Sequence, residues 1–301
     1  MKHDIYAPTN DKIHAAFPGI SDLNKFAQGG FKVVYTATVG GECEMFKLVC
    51  LPVVGQSDEE KQAYRKESLG RIRREVELLG KCRRPELVKL GRVAPTLVVI
   101  DGAEYVGYSE EFLNGDNLWN ILKARGAKPS EVEARRLLLA LLRAIEELWG
   151  RHRTIHRDIK PENVIKLPDT KRPFVLLDLG IAYGLLETGL TRDGGAPCTP
   201  RYLAPEMARP DFRRNLDFRS DLYTAALTVF EYSAQIHPLA KTQDDLIQTI
   251  SRALHQPPRR FRTERPDFSE GFCDLIDQML KKKPQLRPSD LAALIKGMEG
   301  K

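Results

Sequence analysis

The stretch that decides the fold is His156-Arg157-Asp158-Ile159-Lys160-Pro161-Glu162-Asn163-Val164, and Asp178-Leu179-Gly180 follows a short distance later. Two strand-like runs, 164–167 and 174–177, lie between them and are separated by a turn-rich segment. If these runs pair as a hairpin, the asparagine and the second aspartate come to lie side by side. An amide oxygen and a carboxylate then face one point, as a hard cation such as Mg²⁺ requires.

Asp158 and Lys160 lie on the loop just before this point, close enough to handle a hydroxyl and a phosphate delivered to the metal. The combination favours phosphoryl transfer. The chain resembles the eukaryotic-type protein kinases, whose signature is H-R-D-x-K-x-x-N followed by D-[FL]-G and then by A-P-E. The last of these motifs is Ala204-Pro205-Glu206 in this sequence. Further matches in the family's order extend the resemblance over nearly the whole chain.

The resemblance implies an α+β, bilobal protein-kinase fold that forms one kinase domain. We expect an N-terminal arm over residues 1–20, a small β-rich N-lobe over 21–112 and a mainly helical C-lobe over 113–301. In the family, ATP and its metal bind between the two lobes. The 301-residue length and 42% hydrophobic content fit a globular chain of this size.

Composition excludes several other classes of protein. No apolar run approaches the ~18 residues of a membrane span, and the N-terminus lacks the apolar core of a signal peptide, so we expect a soluble, intracellular, cytoplasmic protein. Five cysteines without C-x-x-C spacing argue against both a disulfide framework and a structural zinc site. The net charge of +6 is spread over short basic runs interleaved with acids, and no basic and aromatic stacking platform indicates nucleic-acid binding.

The first lobe begins with β-rich runs. Residues 31–39 and 42–49 flank Gly40-Gly41, a favoured two-residue turn, and predict a β-hairpin. Residues 58–80 have helical periodicity, and Glu75 points toward the helix's buried side, where a carboxylate needs a partner.

The resemblance identifies that partner as Lys47, which in the family pairs with a glutamate of the following helix and binds the α- and β-phosphates. It also assigns nucleotide contacts to residues of the glycine loop, the linker between lobes and the second lobe. These residues are Gly29, Gly30, Val34, Glu111, Leu113 and Ile165.

The same resemblance assigns the chemistry. Asp158 would accept or orient the proton of the substrate hydroxyl, and Lys160 would neutralise charge on the moving phosphoryl group. Asn163 and Asp178 would hold Mg²⁺, with Mn²⁺ a second possibility. Thr199 matches the threonine that bridges the catalytic aspartate and lysine of Ser/Thr kinases, so serine or threonine of an unidentified protein is the expected acceptor.

Two helices and two bracing residues are predicted in the second lobe. Ser130 opens a helix that Gly150 is expected to end, and residues 221–232 read as a helix buried on all sides. By resemblance, Asp221 braces the H-R-D loop. Arg287 likewise matches the arginine that pairs with the A-P-E glutamate, which is Glu206 here.

Several positions depart from the family pattern. Ala27 and Lys32 replace the first and last glycines of the glycine loop, Met45 stands where the family has a small alanine, and Glu110 occupies the gatekeeper position beside the linker. These departures keep open a nucleotide-binding pseudokinase or scaffold. A small-molecule kinase is the other alternative, although that class lacks the A-P-E motif and the Thr199 element.

Overall fold

The computed structural model describes residues 7–29, 31–51, 53, 57–178, 200–208, 216–241 and 243–300. The chain divides into two compact units. The first comprises the described residues of Met1–Lys81 and Val88–Leu113, and the second those of Cys82–Leu87, Asn114–Gly180 and Gly189–Lys301. None of the helices in these described ranges is long and apolar enough to cross a membrane.

A five-stranded antiparallel sheet is the core of the first unit. Its strands lie in the order β1-β2-β3-β5-β4. They are β1 (Ile20–Gly29), β2 (Lys32–Val39), β3 (Glu42–Cys50), β4 (Thr96–Ile100) and β5 (Ala103–Glu111). Alternate residues of β2 are buried, as the two-residue period of a strand requires when one face of the sheet is covered.

The predicted hairpin between β2 and β3 is confirmed. Val39 pairs with Glu42, which leaves Gly40 and Gly41 as a two-residue turn. Their φ angles are +57° and +85°, in the left-handed region that a turn of this type needs and that glycine adopts without a steric penalty.

The N-terminal arm contains a short helix, α1 (Asn10–Ala16), that the polar sequence does not predict. Ile13 is fully buried, and the Phe17 ring packs edge-on against Phe46 of the sheet at a centroid distance of 5.0 Å. A Cβ atom at Gly107 would collide with the Phe17 ring, so the close approach of arm and sheet depends on that glycine. Two anchoring side chains in so short a segment give too little periodicity for a sequence-based prediction.

The helix predicted over residues 58–80 is confirmed as α2 (Asp58–Lys81). Ile72, Val76 and Leu79 are buried along one face, and Glu75 is buried with them at 5% exposure. The carboxylate therefore faces the interior of the first unit, as its helical position predicts.

The second unit is mainly helical around one buried helix. Its helices are α3 (Leu118–Lys123), α4 (Glu131–Glu146), α5 (Phe218–Ala234), α6 (Leu246–His255), α7 (Phe261–Glu264), α8 (Glu270–Met279) and α9 (Leu291–Glu299). Every residue of α5 from Ser220 to Ala234 is buried, which confirms the prediction from its nearly unbroken apolar sequence. Helix α4 packs against it.

Helix α4 begins as predicted but ends differently. The Ser130 hydroxyl accepts the backbone N–H of Glu133 and so caps the start of the helix. The Glu133 carboxylate binds Lys166 at 2.6 Å. Gly150 does not end the helix, because α4 passes at Glu146 into a π-helical turn, Glu147–Arg151, that contains it. Gly150 is not among the glycines with positive φ, the conformation in which glycine usually terminates a helix.

A small three-stranded sheet of the second unit confirms the other predicted hairpin. Its strands, in the order β6-β7-β8, are β6 (Asp116–Asn117), β7 (Val164–Lys166) and β8 (Phe174–Leu176). Val164 pairs with Leu176, so the residues flanking the hairpin, Asn163 and Leu177, are brought together.

Candidate active site

The loop from His156 to Asn163 gathers three polar side chains in a buried place. Asp158, Lys160 and Asn163 are only 6%, 5% and 7% exposed. Lys160 Nζ donates to Asp158 Oδ1 at 2.9 Å, and Asn163 Nδ2 donates to Asp158 Oδ2 at 2.8 Å. The ammonium and the amide thereby fix the orientation of the carboxylate, while each oxygen retains a lone pair for a further donor such as a hydroxyl.

The hairpin places Asn163 and Asp178 next to each other. Leu177 N–H donates to the Asn163 carbonyl at 2.8 Å, and Asp178 follows directly with a left-handed φ of +43°. Because the amide nitrogen of Asn163 is committed to Asp158, its amide oxygen is the atom that can face a cation. An amide oxygen beside a carboxylate suits Mg²⁺, and Mn²⁺ accepts the same donors.

Asp221 of α5 braces the start of the loop, as the resemblance implies. Its two carboxylate oxygens accept the backbone N–H groups of His156 at 2.7 Å and Arg157 at 2.9 Å. Burial raises the pKa of Asp221, although the neighbouring charges and these N–H groups oppose the rise. Arg157 has a left-handed φ of +69°, so the brace holds a backbone conformation that arginine rarely adopts.

Arg287 and Glu206 form the predicted buried ion pair. The guanidinium donates to the two carboxylate oxygens at 2.6 and 2.8 Å, the bidentate geometry that arginine makes with carboxylates. Burial by itself would raise the pKa of Glu206, but the hydrogen bonds and charge of Arg287 outweigh it and hold that pKa below its ordinary value. The pair anchors the short 3₁₀ helix Pro205–Ala208.

In the first unit, Lys47 lies on β3 at 5% exposure. Its Nζ lies 2.6 Å from Oε1 of Glu110 on β5, and both side chains are nearly inaccessible to water. A buried ammonium requires such a partner. The pairing of Lys47 with Glu75 stays a prediction.

The other predicted nucleotide contacts are spread over both units. Gly29 ends β1 and is exposed, with open space where a Cβ would lie. Val34 is half-buried on β2 opposite Lys47. Glu111, at the end of β5, accepts the backbone N–H of Lys89 at 2.8 Å.

Two further predicted contacts follow later in the chain. Leu113 is half-buried just after β5, and Ile165 is half-buried on β7, where it pairs with Asn117 and Val175. The predicted roles of Gly30 and Thr199 fall on residues outside the described ranges.

The pairing of Glu110 with Lys47 is the feature of this site that the sequence did not predict. Met45 lies opposite Glu110 and Tyr108 lies opposite Lys47, so the two charged residues are diagonal neighbours on one face of the β3-β5 pair. A correct prediction of how β3 aligns with β5 would have revealed the pair, because a buried glutamate in a strand needs a cation within reach.

Comparison with known proteins gives a consistent result. The family model described as the protein kinase domain matches residues 21–297. The serine/threonine-protein kinase pkn3 of Myxococcus xanthus is 33% identical over 201 residues, which cover 64% of this chain and 35% of that protein. The dual specificity mitogen-activated protein kinase kinase mek-1 of Caenorhabditis elegans is 31% identical over 155 residues, 51% of this chain and 42% of that protein. The chain thus spans less than half the length of these two curated relatives.

Solved structures agree on the fold. The kinase domain of PknI from Mycobacterium tuberculosis superposes with a TM-score of 0.63 at 20% identity, covering 94% of this chain and 96% of that one. Rad53 in complex with AMP-PNP gives a TM-score of 0.66 at 23% identity, covering 93% of this chain and 65% of that one. At such low identity the likeness establishes the fold alone, and it confirms the α+β kinase architecture expected from the sequence.

Proposed function

This chain belongs to the protein kinase domain family, and from that premise we propose that it transfers the γ-phosphate of ATP to serine and threonine hydroxyls of proteins. The observation that carries the proposal is the buried Asp158 carboxylate held between Lys160 and Asn163. The two donors fix the carboxylate in one orientation and leave a lone pair on each oxygen for the acceptor hydroxyl.

Each residue of the loop has a task in this reaction. Asp158 orients the acceptor hydroxyl and takes its proton as the oxygen attacks the γ-phosphorus, while the bond to the leaving diphosphate breaks. Lys160, already beside Asp158, neutralises charge that develops on the transferred phosphoryl oxygens. The backbone brace from Asp221 keeps this geometry fixed before the substrate arrives, so that little reorganisation is needed during the reaction.

Asn163 and Asp178 are the residues that would hold the divalent cation. When bound there, Mg²⁺ supplies positive charge to the phosphate oxygens. Lys47 would contribute a further positive charge to the phosphates, as the family resemblance implies. Its buried position against Glu110 limits the directions in which the ammonium can reach.

A γ-phosphate transfer assay tests the proposal. Purified chain is incubated with labelled ATP and Mg²⁺ and offered mixed protein acceptors, tyrosine-containing peptides or small metabolites. We expect label on serine and threonine of proteins. Asp158→Asn should lower the transfer rate by about 10²- to 10⁴-fold, the usual effect of removing a positioned acid/base group, and should leave ATP binding nearly unchanged.

Asp169→Asn is the matched control, because Asp169 is an exposed carboxylate in the turn between β7 and β8. It should retain the wild-type rate. Equal rates in the two variants would refute the assignment of Asp158. Label on metabolites alone would indicate a small-molecule kinase, and label on tyrosine as well would indicate dual specificity.

One observation favours a nucleotide-binding scaffold as a second candidate. The Glu110 carboxylate pairs with Lys47, the lysine expected to bind the nucleotide, and would compete with phosphate for it. Saturable ATP binding without transfer to any class of acceptor would establish this alternative.

A further inference from the structure

Three side chains with metal-binding atoms converge in the second unit, away from the loop described above. They are Cys82, which directly follows α2 in sequence, Glu147 of the π-helical turn, and His152 just after that turn. One ligand atom from each lies within 4.8 Å of the others. We propose that these three residues form a Zn²⁺ site, with a fourth tetrahedral position for water.

Two of the ligands lie at the two ends of the π-helical turn. Glu147 begins the turn, and His152 follows its last residue, with its backbone N–H donating to the carbonyls of Leu148 and Trp149. π-Helical turns are rare within α-helices and occur frequently at functional sites.

The chemistry of the three donors selects the metal. A thiolate, an imidazole nitrogen and a carboxylate oxygen are the ligands that Zn²⁺ takes in proteins, whereas Mg²⁺ and Ca²⁺ take oxygen ligands. The thiolate and the carboxylate carry two negative charges to match the ion, and the Arg151 guanidinium that also contacts Glu147 is 60% exposed, so water screens its charge. Charge balance matters here because Cys82 and Glu147 are only 6% and 2% exposed, and a net charge in such a place is costly.

The surroundings hold the ligands in place. Glu147 Oε1 accepts the backbone N–H of Arg83 at 2.8 Å, and Glu147 Oε2 lies 3.2 Å from Nε of Arg151. Contacts of this kind orient a ligating carboxylate and leave lone pairs for the metal. Among the described residues, His152 Nε2 is buried and has no hydrogen-bond partner, and coordination would satisfy it.

A metal here would join the segment Cys82–Leu87 to the π-helical turn that follows α4. His152, the last ligand in sequence, lies four residues before His156. Binding would therefore stabilise the second unit and the approach to the catalytic loop. The inference is independent of phosphoryl transfer. It departs from the absence of a zinc site expected from cysteine spacing, because the ligands come from separate segments and only one of them is a cysteine.

Metal binding to the whole chain tests the proposal. Protein stripped with a chelator is dialysed against micromolar Zn²⁺ and analysed for bound metal, and Co²⁺ is added to a second sample for absorption spectroscopy. We expect one Zn²⁺ per chain, a raised thermal midpoint, and a near-ultraviolet thiolate-to-cobalt band. Cys82→Ser and His152→Gln each remove a ligand and should weaken zinc binding by more than the ~10- to 100-fold typical of losing an outer-shell partner.

Cys273→Ser is the matched control, since Cys273 is also a buried cysteine of the second unit but lies outside the cluster. It should bind one Zn²⁺ and retain the cobalt band. Absence of stoichiometric zinc or of the thiolate band in the wild type would overturn the proposal without any variant. So would zinc binding by Cys82→Ser as tight as that of Cys273→Ser.

Discussion

Replacing Arg287 with methionine probes the buried ion pair that anchors the A-P-E segment. The Arg287 side chain is fully buried, pairs with both oxygens of Glu206, and also donates to the carbonyls of Lys281 and Arg219 at 2.8 Å each. Methionine fills similar space but leaves the buried carboxylate without its cation. Breaking a buried pair from one side costs about 3–5 kcal/mol, so we expect the free energy of unfolding to fall by that amount near neutral pH.

The pH dependence makes this prediction sharper. In the wild type the pKa of Glu206 lies below its ordinary value of 4.5, so its stabilising contribution is present above that pH and is lost as the pH falls through the lower, folded-state pKa. In the variant, burial without the guanidinium should raise the pKa of Glu206 above the ordinary value. Protonation then relieves the buried charge, so the stability difference between the two proteins should begin to shrink as the pH falls through this raised pKa and should continue to shrink down to the lowered pKa of the wild type.

Urea denaturation of both proteins between about pH 7 and pH 4 measures this difference. A double-mutant cycle with Glu206→Gln should return the part of the loss that comes from the unpaired charge, whereas the carbonyls of Lys281 and Arg219 lose their donor in both variants. Arg260→Met is the control, because Arg260 is 71% exposed where it pairs with Asp277, and such pairs contribute below about 1 kcal/mol. A loss that stays constant across the pH range would refute the electrostatic reasoning.

Three other predictions concern the catalytic loop, the strand lysine and a helix cap. The amide of Asp221→Asn has one oxygen and can accept only one of the two loop N–H groups. Losing a hydrogen bond worth about 1.5–3 kcal/mol should lower the phosphoryl-transfer rate about tenfold or more. An unchanged rate in a steady-state assay would contradict the bracing role. Glu110→Gln should lower stability while tightening ATP binding to Lys47, and calorimetric titration giving weaker binding would contradict the competition inferred between carboxylate and phosphate. Ser130→Ala should cost about 0.5–2 kcal/mol of stability in chemical denaturation, and Ser57→Ala, which removes the equivalent exposed cap at the start of α2, should cost a similar amount; no loss in either variant would contradict the capping role.

The parts of the protein that the sequence predicted are those in which neighbours along the chain decide the outcome. The Gly40-Gly41 hairpin follows from turn geometry, and the hairpin of β7 and β8 from two β-rich runs around a proline-containing turn. The buried face of α2 follows from the 3.6-residue period. The proximity of Asn163 and Asp178 could be predicted for the same reason, since a single hairpin brings them together.

The tertiary structure decided what depends on contacts between distant segments. The family resemblance singles out Lys47 on a strand, but only the register of β3 with β5 places Glu110 beside it. The arm reads as polar, and only the covered face of the sheet makes Phe17 an anchor. Cys82, Glu147 and His152 meet where the end of the α4 segment packs against the residues that follow α2, with Glu147 accepting the backbone N–H of Arg83. Local sequence patterns carry no information about such long-range contacts. The free energy that stabilises these contacts comes from packing and charge pairing between residues far apart in the chain.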